Sequence, residues 1–72
     1  MKITINGQQI QYAEKDINVV YILLLFLQKE HIDQVKGVAV AINGALIRRA
    51  KWGDVQVEEG DDIEILTATQ GG

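Results

Sequence analysis

Polar and apolar residues alternate from Lys2 to Asn6 and again from Gln9 to Tyr12, with Asn6-Gly7 between the two runs. Alternation of period two marks a strand with one buried and one wet face, and Asn-Gly between such runs signals a tight hairpin turn. The pattern predicts an N-terminal β-hairpin whose inward residues are Ile3, Ile5, Ile10 and Tyr12.

From Ile17 to Leu27 the chain is apolar except at Asn18. Val19, Ile22, Leu23 and Phe26 fall at i, i+3, i+4 and i+7, the spacing of a core-facing helical stripe. Asp16 or Asn18 can cap such a helix by accepting a bond from an unpaired N–H of the first turn, and the helix is expected to run to about Lys29. The same run, rich in Val, Ile, Tyr and Phe, also fits a buried strand, which periodicity alone does not distinguish. Helix is the reading adopted. Its opposite face carries Ile17, Val20, Tyr21, Leu24 and Leu25 where a surface helix would show charges. Eleven residues are too few for a membrane span, which needs about 20.

After a polar connection from Gln28 to Gly37, Val38 to Ile42 reads as a strand with Val38, Val40 and Ile42 on one face and only Ala39 and Ala41 on the other. The alanine face can admit another chain closely. Asn43-Gly44 gives a second hairpin signal, Ala45 to Ile47 pairs back, and an irregular stretch from Ala50 to Asp54 holds Trp52. Glu59-Gly60-Asp61 makes a third turn. In the last strand, Asp62 to Thr67, Ile63 and Ile65 point inward and Leu66 breaks the rhythm onto the surface. Hairpin, helix, hairpin and final strand define an α+β architecture, a mixed sheet of four to five strands packed on one main helix.

Seventy-two residues make a single domain, divided here into residues 1–67 and a flexible C-terminal tail, 68–72. There is no cysteine, which removes disulfides, thiolate metal sites and thiol catalysis. A net charge of −3 opposes binding to nucleic acid, whose affinity rests on clustered Lys and Arg. The first twelve residues lack the basic and apolar regions of a signal peptide, so the expected compartment is the cytoplasm. His31, the one histidine, reads as a solvated loop residue, and carboxylates alone are a poor zinc site. The acidic cluster Glu58, Glu59, Asp61, Asp62 and Glu64 reads as a solvated face.

The chemistry expected of this chain lies in Gln70-Gly71-Gly72. Glycine lacks Cβ, so two in succession let the backbone enter a slot too narrow for other residues, and five extended residues from Ala68 reach about 17 Å. A terminal carboxylate is ionised at neutral pH and can attack an activated phosphorus if another protein supplies ATP. The isolated glycines at 37, 44, 53 and 60 form no phosphate-binding loop of their own. Two terminal glycines also fit an end that simply frays.

GVAVAINGALI, RRAKW and VEEGDDIEILTATQGG, with the Ile-Thr-Ile-Asn-Gly start, resemble the ThiS family of thiamine-biosynthesis sulfur carriers, within the MoaD/ThiS superfamily, over nearly the whole chain. The resemblance implies a ubiquitin-like β-grasp fold and a carrier that is not itself an enzyme and binds no cofactor. An E1-like adenylyltransferase of the ThiF type would use ATP to adenylate Gly72, with Gly71 giving access. A sulfur donor such as a cysteine desulfurase would then convert the adenylate to a thiocarboxylate, which a thiazole synthase of the ThiG type would consume. Arg49 and Trp52 match the family's Arg-x-x-Trp, for which we expect a structural role with Trp52 over the sheet edge. The apolar part of the partner interface is assigned to Ala39, Ala41, Leu46, Leu66 and Ala68, with the acidic surface steering a basic partner groove.

Two departures from the family pattern stand out. Arg48 occupies a position where relatives often carry proline, and the helix places Val20, Tyr21, Leu24 and Leu25 where relatives tend to be polar. An exposed patch of that kind marks an interaction surface: either the chain self-associates through it, as a homo-oligomer, or the helix is an altered one or is further buried under the connection from Gln28 to Gly37. Competing functions are the small subunit of molybdopterin synthase, a ubiquitin-like modifier joined through Gly72 to a lysine amine, and a non-catalytic β-grasp interaction module.

Overall fold

The computed structural model describes residues 1–68. Strands β1 (Lys2–Ile5) and β2 (Gln8–Gln11) form the first hairpin, with Ile5 opposite Gln8. Strands β4 (Val38–Ile42) and β5 (Ala45–Ile47) form the second, with Ile42 opposite Ala45. At both turns the two central residues have positive φ, +50° and +83° at Asn6-Gly7 and +51° and +85° at Asn43-Gly44. That conformation suits the twist of paired strands and favours asparagine and glycine at these positions.

Strand β7 (Asp62–Thr67) inserts between the hairpins, so the sheet runs β2-β1-β7-β4-β5. It is parallel to β1 and antiparallel to β4. Ile3, Ile5, Val40, Ile42, Ile63 and Ile65 line the buried face, as their alternation predicts. Ile10 and Tyr12 are only half-buried, because they lie on or just beyond the edge strand β2.

The apolar run from Ile17 divides between the two conformations open to it. Ile17–Asn18 is a short strand, β3, antiparallel to β6 (Gln56–Val57), and helix α1 occupies Val19–Leu27. Asn18 is the cap, its Oδ1 accepting the Tyr21 N–H at 2.9 Å; Asp16 is not. The helix stops two residues short of Lys29 because Gln28 turns left-handed at φ +57°, and the Lys29 N–H closes back on the Leu24 carbonyl at 2.9 Å.

Val19, Ile22 and Leu23 are buried as expected, and Phe26 is half-buried. The opposite helix face needs correction. Ile17 precedes the cap and is buried against the core, and Val20 and Leu24 are half-buried on it. The helix also packs against the 3-10 segment Arg49–Asp54, the stretch read as irregular. Only Tyr21 and Leu25 remain open, at 42% and 41% exposure.

The 28–37 connection is not wholly polar in its structural role. It contains a 3-10 turn, Ile32–Gln34, after which Val35 enters the core. Val57, on β6, does the same at the other end of the helix layer. Among the described residues no helix is long and apolar enough to cross a membrane.

Candidate functional site

Strand β7 carries the chain toward its C-terminus from the middle of the sheet. Its last residue, Thr67, lies opposite Val38, and the Ala68 N–H still donates to the Gly37 carbonyl at 2.7 Å. Gly71 and Gly72, expected to carry the chemistry, lie outside the described residues.

Around this exit the outer face of the sheet gathers the five residues assigned to the partner interface. Ala39 lies opposite Leu66, and Ala41 lies opposite both Leu46 and Glu64. Period-two alternation puts Ala68 on the same face as Leu66. Leu46 and Leu66 are 71% and 64% exposed, well beyond the other large apolar side chains. Beside Leu66 a shallow depression is lined by Gly37, Ala39, Arg49, Thr67 and Ala68.

Four members of the acidic cluster separate into two groups. The Glu59 carboxylate accepts the Lys2 N–H, and Asp61 accepts the Glu58 N–H at 2.8 Å and the Asn43 amide at 3.0 Å, so these two build the turn. Asp62 and Glu64 instead stand on the outer face of β7, in alternation with Leu66. Glu64, opposite Ala41, thus sets one charge beside the apolar surface. Among the described residues no group of His, Asp and Glu is arranged to hold a metal ion. His31 is exposed in the loop, its backbone N–H donating to Gln34 Oε1.

Arg49 and Trp52 support the frame behind the exit. The Arg49 guanidinium donates to the Val35 and Ile32 carbonyls and lies 5.1 Å from the centroid of the Trp52 ring. The indole N–H donates to the Ile47 carbonyl, at the end of edge strand β5, at 2.9 Å. The pair therefore ties the 28–37 connection to the sheet edge where Trp52 was expected.

Sequence reasoning missed the asparagine side chains of the two hairpin turns. The Asn43 Oδ1 accepts the Asp62 N–H at 2.9 Å, and Asn6 makes a reciprocal pair of bonds with the backbone of Ile65. Asn-Gly signals the turn, but nothing local reveals a partner 59 residues away.

A five-stranded mixed sheet with β7 between two hairpins and one helix across its inner face defines a ubiquitin-like β-grasp protein. The ThiS family model matches residues 3–72, and the chain belongs to that family. The chain is similar to the crystal structure of the thiamine biosynthesis protein ThiS from Geobacter metallireducens, with TM-score 0.76 and 30% identity over 100% of both chains. It is likewise similar to the NMR solution structure of a thiamine biosynthesis protein from that organism, with TM-score 0.71 and 31% identity over 100% of this chain and 88% of the other. No curated protein matches the chain.

Proposed function

We propose that this ThiS-family chain is a sulfur carrier of thiamine biosynthesis, acting in the cytoplasm as substrate and sulfur donor for other enzymes. The observation that carries the reading is the position of β7, whose last residue, Thr67, leaves the sheet beside an exposed apolar face, five residues before Gly72. A partner that docks on Ala39, Ala41, Leu46, Leu66 and Ala68 is thereby placed next to the segment it must act on.

In the proposed sequence, a carboxylate oxygen of Gly72 attacks the α-phosphorus of ATP on a ThiF-type adenylyltransferase, and pyrophosphate leaves. The terminal sulfur of a persulfide formed by a cysteine desulfurase adds to the acyl carbon and AMP leaves, and a thiol reductant supplies the two electrons that cleave the acyl disulfide to the thiocarboxylate; free sulfide gives the same product directly. A ThiG-type thiazole synthase takes the sulfur. Gly71 and Gly72, lacking side chains, suit a narrow catalytic channel.

The test is intact mass after incubation with ThiF-type adenylyltransferase, ATP and sulfide. Exchange of one oxygen for sulfur is expected, with loss of all modification but unchanged cooperative unfolding when Gly71 and Gly72 are deleted. Unmodified wild-type chain sinks the proposal. A product joined to a lysine amine would indicate a ubiquitin-like modifier, delivery to a pterin would indicate a molybdopterin synthase subunit, and full function without the two glycines would indicate a plain interaction module.

A further inference from the structure

The central strand β7 is held unequally on its two sides. Against β4 it is paired from Ile63, opposite Ile42, to Thr67, opposite Val38. Against β1 the parallel register covers only Asp62 and Ile63, because the backbone of β1 turns away at Asn6. The Asn6 N–H makes the last backbone rung, to the Ile63 carbonyl at 2.9 Å.

The Asn6 side chain then supplies the next one. Its Oδ1 accepts the Ile65 N–H at 2.8 Å, and its Nδ2 donates to the Ile65 carbonyl at 3.1 Å. One carboxamide therefore stands in for the residue a longer parallel strand would have placed there. The job needs a donor and an acceptor on one short side chain, on a residue that tolerates positive φ. Asparagine meets both conditions. A hairpin needs no such bond, since glycine would serve the turn equally well.

We propose that Asn6 is a positioning residue for the C-terminal segment: by closing the β1 side of β7 at Ile65 it fixes the line along which the chain leaves the sheet after Ala68. This inference rests on the carrier reading, because it matters only if Gly72 must reach another protein's active site. Without the bonds at Ile65, the β1 side of β7 is open just before the chain leaves the sheet, and the strand that presents the last residues to a partner can shift. A displacement of about 1 Å at a reacting atom can cost roughly a hundredfold in rate.

Asn6→Gly removes the side chain without straining the turn, and Asn43→Gly is the matched control, deleting the corresponding bonds at the start of β7. Two readouts are compared at a temperature where both variants are folded. In amide hydrogen exchange, Asn6→Gly is expected to speed exchange at Ile65 by roughly five- to tenfold relative to Ile63, and Asn43→Gly is expected to leave that ratio unchanged. In ATP–pyrophosphate exchange by ThiF-type adenylyltransferase, Asn6→Gly is expected to lower kcat by about tenfold at unchanged KM, because the outer face is untouched. Asn6→Asp, which keeps the acceptor for the Ile65 N–H but loses the donor, should fall between wild type and Asn6→Gly in both assays.

Equal kcat in wild type and Asn6→Gly, or equal losses in Asn6→Gly and Asn43→Gly, would overturn the inference. An effect on KM alone would do the same, assigning Asn6 to docking. If wild-type chain supports no pyrophosphate exchange, the carrier reading fails instead, and the Ile65 exchange ratio still decides whether Asn6 holds β7.

Discussion

Trp52 is 2% exposed yet carries a polar N–H, and it is accommodated because Ile47 presents a carbonyl at 2.9 Å and Arg49 covers the ring. Trp52→Ala should cost about 3–5 kcal/mol in urea unfolding, from lost burial and the cavity left behind. Arg49→Lys keeps the charge but loses the planar fork that reaches two carbonyls, and a loss of about 1–2 kcal/mol is expected from the same measurement. Tyr12 gives a prediction in pH. Burial first, and the Glu14 carboxylate second, push its phenol above the usual 10.0. The folded state thus holds the proton more tightly than the unfolded chain. Its stabilising contribution is complete below the unfolded value near 10 and is lost as pH rises through the higher folded value. Stability should decline over that alkaline window in wild type and decline less in Tyr12→Phe, as followed by denaturant midpoints.

At the scale of elements, α1 is defined by its two ends more than by its apolar content. Asn18 caps one and left-handed Gln28 closes the other, leaving nine residues. The periodic stripe Val19, Ile22, Leu23 was legible, since helical spacing alone assigns it a common face. The fate of Ile17, Val20 and Leu24 was not, because it depends on β6 and on the Arg49–Asp54 segment, more than 20 residues away in sequence. Of the four residues expected to drive self-association only Tyr21 and Leu25 stay open, so a contact through them is weak, since a stable interface buries about 800 Å² per partner. Leu25→Glu is expected to abolish any concentration dependence of sedimentation in the wild type and to change stability by less than about 0.5 kcal/mol. Leu23→Ala, fully buried on the same helix, should cost about 2–5 kcal/mol.

For the whole molecule, the sheet serves two purposes on its two faces. The inner face holds the helix, and the outer face sets Glu64 beside Ala41 and Leu46 and carries Leu66 and Ala39 toward the chain's exit, with Asp62 at the far end of β7. With ten acidic residues against seven basic ones, long-range attraction to a basic partner groove should raise the encounter rate and be screened by salt. The rate of Gly72 adenylation at limiting substrate is therefore expected to fall several-fold between low and physiological ionic strength, whereas a flat profile would assign recognition to the apolar contacts alone. Leu66→Glu, placed at the centre of that face, should raise KM for the activating enzyme and leave the unfolding midpoint unchanged.

Local pattern by itself determined the two hairpins, the inward identity of Ile63 and Ile65 and the surface placement of Leu66, and it narrowed the helix cap to Asn18 or Asp16. Each of these follows from rules that act over two to four residues: strand alternation, the positive φ of Asn-Gly, and a side-chain oxygen near free N–H groups. Tertiary structure decided that β7 enters between β1 and β4, that Val35 and Val57 complete the core, and that Asn6 reaches Ile65. Those outcomes depend on backbone groups and apolar surface brought together from distant parts of the chain, and no local periodicity encodes the identity of a distant partner.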